Sequence, residues 1–291
     1  SMGLNIVFGI DTTTAAAISG ILGILLFASP KMGGVLDNTA KVLGTVMLAL
    51  IGYVAFSTNP PVTEAVTHAI VPTHYAWLAT ITLIGGTVGG YITFSGGHRL
   101  IDAGITGREH LNDVRRAAFM GMSVDAIVRI LLFLAVLGVV SMGFTLDPKN
   151  PAGSAFLLGA GEIGHKLFGI VFFCAALTSV VGAAYTSVSF LKTLFKVVER
   201  YEKLTIMAFI FVSTCILIFI GKPATLLIVA GSVNGLILPV TLAVMLLATR
   251  KTNIVGDYKH NPVLFYTGWI VVLVTAYIGV TSLQGIAKLL G

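Results

Sequence analysis

Eight stretches of this chain are long and apolar enough to cross a lipid bilayer, and they restrict its folds more than any other feature. They lie at roughly 12–29, 40–57, 76–95, 119–144, 167–191, 204–221, 224–248 and 263–287. A bilayer-spanning helix needs about 17 to 25 mostly apolar residues. None of the eight alternates apolar and polar residues with period two over ten positions, which a membrane β-barrel would require. The fold class is therefore all-α, a polytopic membrane protein of about eight transmembrane helices. Composition agrees: 56% of the residues are hydrophobic, only 10% are charged, and the mean hydropathy is +0.97. A soluble domain carries about 25% charged residues, so this chain has too few to cover a water-facing surface.

The charges that remain report orientation. Thirteen Lys and Arg residues fall in alternate loops: Lys31, Lys41, Arg99, Arg108, Arg115, Arg116, Lys192, Lys196, Arg200, Lys203, Arg250, Lys251 and Lys259. Only Lys149, Lys166, Lys222 and Lys288 fall in the others, and Arg129 lies inside the fourth span. The excess of positive loops marks the cytoplasmic side. The net charge of +6 is thus a topology bias and not a clustered nucleic-acid surface. The membrane lipid is the expected partner, and the chain is expected to be integral to a membrane. Cys174 and Cys215 lie within apolar runs and supply neither a disulfide framework nor a metal site. No resident cofactor is expected.

Eight spans with this bias place both termini outside, although no charged leader precedes the first span. The opening residues, Gly3-Leu-Asn-Ile-Val-Phe-Gly-Ile10, end abruptly at Asp11 and read as the tail of an earlier span. The chain is therefore expected to lack an odd number of N-terminal spans.

Six glycines, at 85, 86, 89, 90, 96 and 97, crowd the third span. Each glycine inside a helix costs about 0.5–1 kcal/mol relative to alanine. Two readings follow. An unwound segment, tolerated at membrane depth where protein or a water-filled cavity covers it, would aim free carbonyls at an ion. Alternatively, Gly86 with Gly90, and Gly85 with Gly89, have the small-xxx-small spacing of closely packed helices. The seventh span offers a second interruption, Asn234-Gly-Leu-Ile-Leu-Pro239, with a polar amide and a helix-breaking proline. Asn234 either lines a cavity or bonds between helices. Hydroxyls at Thr178, Ser179, Thr186, Ser187 and Ser189 in the fifth span are expected to bond back to helix carbonyls.

Asp125 and Arg129, four residues apart in the fourth span, read first as a self-paired ion pair with a snorkelling arginine and second as part of an ion pathway. His98 and Asp102, with Arg99, follow the glycine segment and either line an inner exit or are solvated loop ends. No catalytic or phosphate-binding motif competes: there is no His-Glu-x-x-His, no Gly-x-Ser-x-Gly and no phosphate loop ending in Lys-Ser/Thr. An enzyme is not expected.

Three segments carry a resemblance. Gly85-Gly-Thr-Val-Gly-Gly-Tyr-Ile-Thr-Phe-Ser-Gly-Gly-His-Arg-Leu-Ile-Asp-Ala-Gly104 resembles the sixth span of the NRAMP-like divalent metal transporters, in a divergent bacterial branch. Gly182-Ala-Ala-Tyr-Thr-Ser-Val-Ser-Phe-Leu-Lys192 resembles that family's eighth span, and Asn234-Gly-Leu-Ile-Leu-Pro239 its tenth. The resemblance implies a LeuT-like inverted-repeat fold without its first three spans. Residues 1–11 would be the remnant of a preceding span, 12–57 the last two spans of the first repeat, 76–248 the second five-span repeat, and 263–287 an additional span. It implies a secondary transporter, a symporter in kind, working by alternating access. Gly86, Thr87, Gly89, Gly90, Tyr91 and Asn234 would form the ion site, with the Gly86 backbone carbonyl and Asn234 as ligands.

The family usually has Met-Pro-His-Asn where this chain has Gly89-Gly90-Tyr91-Ile92. Without the soft methionine thioether, the expected cargo is magnesium or manganese in preference to cadmium, zinc or iron. An organic solute or amino-acid carrier of the same fold, and a non-transporting scaffold or partner subunit, are the alternatives. A second copy of the chain, or a separate N-terminal fragment, is the expected protein partner, because half of the inverted-repeat design would otherwise be missing.

Overall fold

The computed structural model describes the backbone of residues 1–28, 32–89 and 91–290, and the side chains of all of these except 32–41, 92–95, 99 and 284–290. These residues form helices and no β-strand. In chain order the helices are α1 (Met2–Phe8), α2 (Thr12–Ala28), α3 (Met32–Ser57), α4 (Val62–Ile70), α5 (Trp77–Thr87), α6 (Tyr91–Asp102) and α7 (Leu111–Ser141). They continue as α8 (Pro151–Leu194), α9 (Lys196–Arg200), α10 (Glu202–Ile220), α11 (Pro223–Ala248), α12 (Thr252–Val255) and α13 (Pro262–Leu290). Among them α7, α8, α10, α11 and α13 are each long and apolar enough to cross a membrane. Two bent pairs raise the number to seven: α1 with α2, at 114°, and residues 42–57 of α3 with α4, at 102°. Large apolar side chains such as Phe56 and Phe219 stand on the outer surface, which suits a chain whose solvent is lipid.

The chain forms two compact units. One comprises Ser1–Thr73 and Ala103–Lys222; the other comprises His74–Asp102 and Pro223–Gly291.

In the first unit the core joins α3, α7 and α8. Ile51, Val54, Ala135, Val139 and Phe156 are almost fully buried there, and the rings of Phe156 and Phe168 stack at 4.4 Å. A smaller cluster joins Ala184 and Val188 of α8 to Ile206 and Ile210 of α10. Small residues let these helices approach: a Cβ at Gly138 of α7 would run into the Thr58 hydroxyl just beyond α3. Thr58 itself is buried and donates to the Val54 carbonyl at 2.7 Å.

Helix boundaries differ from the sequence expectation where turns override hydropathy. The fifth span, expected at roughly 167–191, lies in the second of two helices that a kink at Gly161 makes of α8. Asn150 caps a helix that starts at Pro151, accepting a hydrogen bond from the Gly153 amide at 3.1 Å. Gly161, with φ 67° and ψ −170°, then redirects the chain into the longer part of α8, a conformation only glycine takes cheaply. Helix α4 was not expected at all, because its nine residues are too few to register as a span. The expected interruption at Asn234–Pro239 is not a break: α11 runs unbroken from Pro223 to Ala248 with Pro239 inside it. Surrounding helices allow a membrane helix to carry a proline without ending.

The second unit is built on α11, against which α5 and α13 pack. Tyr75 stacks on Trp77 at 5.0 Å, and Trp77 meets Tyr277 of α13 edge-on at 5.7 Å. Just past the C-terminus of α11 the Arg250 guanidinium lies 4.1 Å over the Phe265 ring.

Candidate functional site: a glycine break beside a proline-bearing helix

The third apolar stretch folds as two helices. Its first part, Trp77 to Thr87, is a short apolar helix whose regular bonding closes with the Val88 amide donating to the Ile84 carbonyl at 2.9 Å. Gly89 then takes φ +70°, in the left-handed region that glycine enters without penalty and that commonly ends a helix. The backbone becomes helical again at Tyr91. Gly90, between them, lies outside the described residues. The helix is thus interrupted at Gly89.

The packing reading holds too, one turn earlier and with different partners. The Gly85/Gly89 and Gly86/Gly90 pairs do not form one packing face. Gly86 has open space where a side chain would be, and Gly89 lies in the break. Gly85 alone makes the close approach, against Gly231 and Gly235 of α11: a Cβ there would overlap the Gly231 carbonyl oxygen and the Gly235 amide nitrogen. In return, a Cβ on Gly235 would come within 2.5 Å of the Ile81 carbonyl oxygen. The hydroxyls of Thr82 and Ser232, 2.7 Å apart, bridge the same crossing, and Ser232 is fully buried.

This crossing sets the surroundings of the break. Asn234 lies three residues after Gly231 and four before Leu238, beside the buried face of α11 that carries Gly231, Gly235 and Leu238. It is half-buried, and its amide has no side-chain hydrogen-bond partner among the described residues. Gly86 and Thr87 are in the last turn of α5, where carbonyls lack an intrahelical donor. The Thr87 hydroxyl is turned back onto the Leu83 carbonyl, leaving its main chain as the accessible polar group. Gly89 is buried, and Tyr91 opens α6 with its ring 38% exposed. His98 is half-buried and Asp102 exposed, one turn apart on one face of α6.

Gly86, Thr87, Gly89, Tyr91 and Asn234 thus belong to one compact unit, as do His98 and Asp102. Asp125 and Arg129 belong to the other and engage each other, Arg129 Nε donating to Asp125 Oδ2 at 2.7 Å. The fifth-span hydroxyls behave as expected where their bonds are defined: Thr178 donates to Ala175, Thr186 to Gly182 and Ser187 to Ala183.

Around the break the groups are neutral oxygens and amides. Among the described residues no three His, Cys, Asp or Glu side chains gather as a metal cluster. Sequence reasoning missed Thr82, Gly231, Ser232 and Gly235. The signal was present, since Gly231-x-x-x-Gly235 is itself a small-xxx-small pair immediately around Asn234.

The fold and the glycine break are those of a polytopic helical membrane protein with a span interrupted beside a proline-bearing helix. The chain is a member of the family described as natural resistance-associated macrophage protein-like, which it matches over residues 1–284. That family is one of metal-ion transporters, not enzymes, and has the LeuT-like fold. The chain is 49% identical over 282 residues to the uncharacterized membrane protein YcsG of Bacillus subtilis (strain 168), covering 97% of this chain and 70% of that protein. It is also 49% identical over 275 residues to an uncharacterized membrane protein of Haemophilus influenzae (strain ATCC 51907 / DSM 11121 / KW20 / Rd), covering 94% and 69% respectively. Both relatives are bacterial, in keeping with a divergent bacterial branch of the family.

Proposed function

We propose that this protein is part of a secondary transporter of the bacterial inner membrane that moves a hard divalent cation, magnesium or manganese, by alternating access at the α5–α6 break. The observation that carries the reading is the left-handed Gly89 between two helices of one unit, with the half-buried Asn234 amide on the helix that α5 crosses. Main-chain carbonyls of the last α5 turn, Gly86 foremost, and the Asn234 oxygen are hard donors. Magnesium, calcium and manganese suit such an oxygen set, while cadmium, zinc and iron gain most from thiolate, thioether or imidazole. Magnesium keeps several waters, so two or three protein oxygens are a reasonable complement.

Broken helices allow this because half-helix ends expose polar backbone that a continuous helix would spend on itself. When the cation leaves, those carbonyls need water or protein, which couples the break to opening on one side or the other.

Calorimetry with magnesium, manganese and cadmium on the purified protein tests the cargo, and liposome uptake tests movement. Binding of magnesium or manganese that is lost in Asn234→Ala supports the reading. Tight cadmium binding that depends on residues 86–91 overturns the hard-ligand assignment. Saturable uptake of an organic solute without cation binding would favour a carrier that uses Tyr91 to close its cavity.

A further inference from the structure

The connection between α8 and α10 joins the ends of two membrane spans, so it lies at the membrane surface. Its charge places that surface on the cytoplasmic side. Within it stand Lys192, Lys196, Glu199, Arg200, Glu202 and Lys203. Its shape is fixed from within. Lys192 Nζ donates to Glu202 Oε1 at 3.5 Å, tying the last turn of α8 to the first turn of α10. Phe195, extended at φ −130° and ψ 109°, separates α8 from α9. Val198 of α9 packs against the buried cluster of Ala184, Val188, Ile206 and Ile210. With Val198 turned inward, Lys196 and Arg200, four residues apart and both exposed, share the outward face. Lys203 is exposed too, and among the described residues no ion pair engages any of these three cations. Glu199 alone opposes them here, since Glu202 is taken up by Lys192. The surface around the cations is apolar: Leu194, Phe195, Val197, Tyr201 and Leu204 are each at least half exposed. A bilayer interface accepts such side chains beneath its headgroups and leaves the cations level with the phosphates.

We propose that the α8–α10 connection is a binding site for the headgroup of an anionic phospholipid, held by Lys196, Arg200 and Lys203, with the apolar side chains around them lodged among the upper acyl carbons. The arginine fork suits phosphate oxygens, and the lysines add point charge. A zwitterionic headgroup brings its own cation against these three, so the site selects a lipid of net negative charge. The inference is independent of the cation-site reading, because this connection belongs to the other compact unit.

Titration of the purified protein, in micelles of an uncharged detergent, with fluorescent phosphatidylglycerol or phosphatidylcholine tests this. Each Lys or Arg near an anionic membrane surface strengthens attraction roughly fivefold. Wild-type protein should therefore bind phosphatidylglycerol at least tenfold more tightly than phosphatidylcholine, and added salt should shrink the difference. Combining Lys196→Gln, Arg200→Gln and Lys203→Gln should weaken phosphatidylglycerol binding at least tenfold. Combining Lys149→Gln, Lys166→Gln and Lys222→Gln, which removes the same charge from the loops of the opposite side, should leave it intact. An equal loss in both triple variants would reveal a general attraction to net charge and overturn the site. Absence of a phosphatidylglycerol preference in the wild-type protein, a measurement that needs no variant, would overturn it as well. So would displacement of the lipid by millimolar inorganic phosphate, which would mark a site for a free anion instead.

Discussion

Two adjacent glycines on α5 should respond to the same substitution with opposite signs. Gly85→Ala places a methyl group where the Gly231 carbonyl oxygen and Gly235 amide nitrogen already are, whereas Gly86→Ala places one in open space. Overpacking a close contact typically costs about 1–3 kcal/mol. Both neighbours here are backbone atoms of a helix and cannot rotate aside, so the cost belongs at the upper end, about 3 kcal/mol. Relief requires α5 and α11 to separate, which also stretches the 2.7 Å Thr82–Ser232 hydrogen bond. A side-chain bond between membrane helices contributes about 0.6 kcal/mol on average. At Gly86 the alanine loses nothing and gains about 0.5–1 kcal/mol of helix propensity. The two variants should therefore differ by about 4 kcal/mol. Reversible unfolding in mixed micelles, titrated with sodium dodecyl sulfate, reads the difference directly. If Gly85→Ala unfolds within about 1 kcal/mol of Gly86→Ala, the close crossing is not what organises this unit.

Two further substitutions probe the other unit. Gly138→Ala should destabilise it by about 2 kcal/mol, because the methyl meets the Thr58 hydroxyl; adding Thr58→Ala should recover part of that loss in a double-mutant cycle, and full additivity would refute the contact. Arg129→Ala should cost less than about 1 kcal/mol, since both members of its 2.7 Å pair are more than a third exposed. Asp125→Ala combined with it should cost no more than either change alone, which chemical unfolding can check.

The spans, the all-α class and the break were legible because hydropathy and glycine density act locally. A run of apolar residues has few choices in a membrane, and a helix with glycines at 85, 86, 89 and 90 is weakened whatever surrounds it. Which glycine does what was not legible. Gly85, Gly86 and Gly89 have identical side chains; the position of α11 makes the first a contact and leaves the second a bare surface, while the third takes the left-handed turn of the break. Pro239 shows the converse. Its local rule points to a break, yet α11 continues because packing against α5 and α13 supports it. The starts of α4 and α8 were missed because capping by Asn150 and the turn at Gly161 are short polar or conformational signals, which an apolar window averages away.

The position to which the resemblance assigns the family's soft ligand is also the residue at which the helix breaks. The family usually has methionine where this chain has Gly89, and Gly89 sits at φ +70°. A side chain in the left-handed region costs roughly 1–2 kcal/mol. Gly89→Met therefore does not simply restore a thioether to an otherwise unchanged site; the backbone must either bear that strain or leave the left-handed region, moving the carbonyls of the last α5 turn with it. The two outcomes are measurable. If the break is tolerant, Gly89→Met should gain cadmium affinity while keeping magnesium. If, as the buried position of Gly89 favours, the break depends on glycine, the variant should lose magnesium affinity and stability together and gain little for cadmium. Calorimetry with both metals, alongside an unfolding titration, distinguishes them. A stable variant with magnesium affinity intact would show that the left-handed turn is incidental to the cation site.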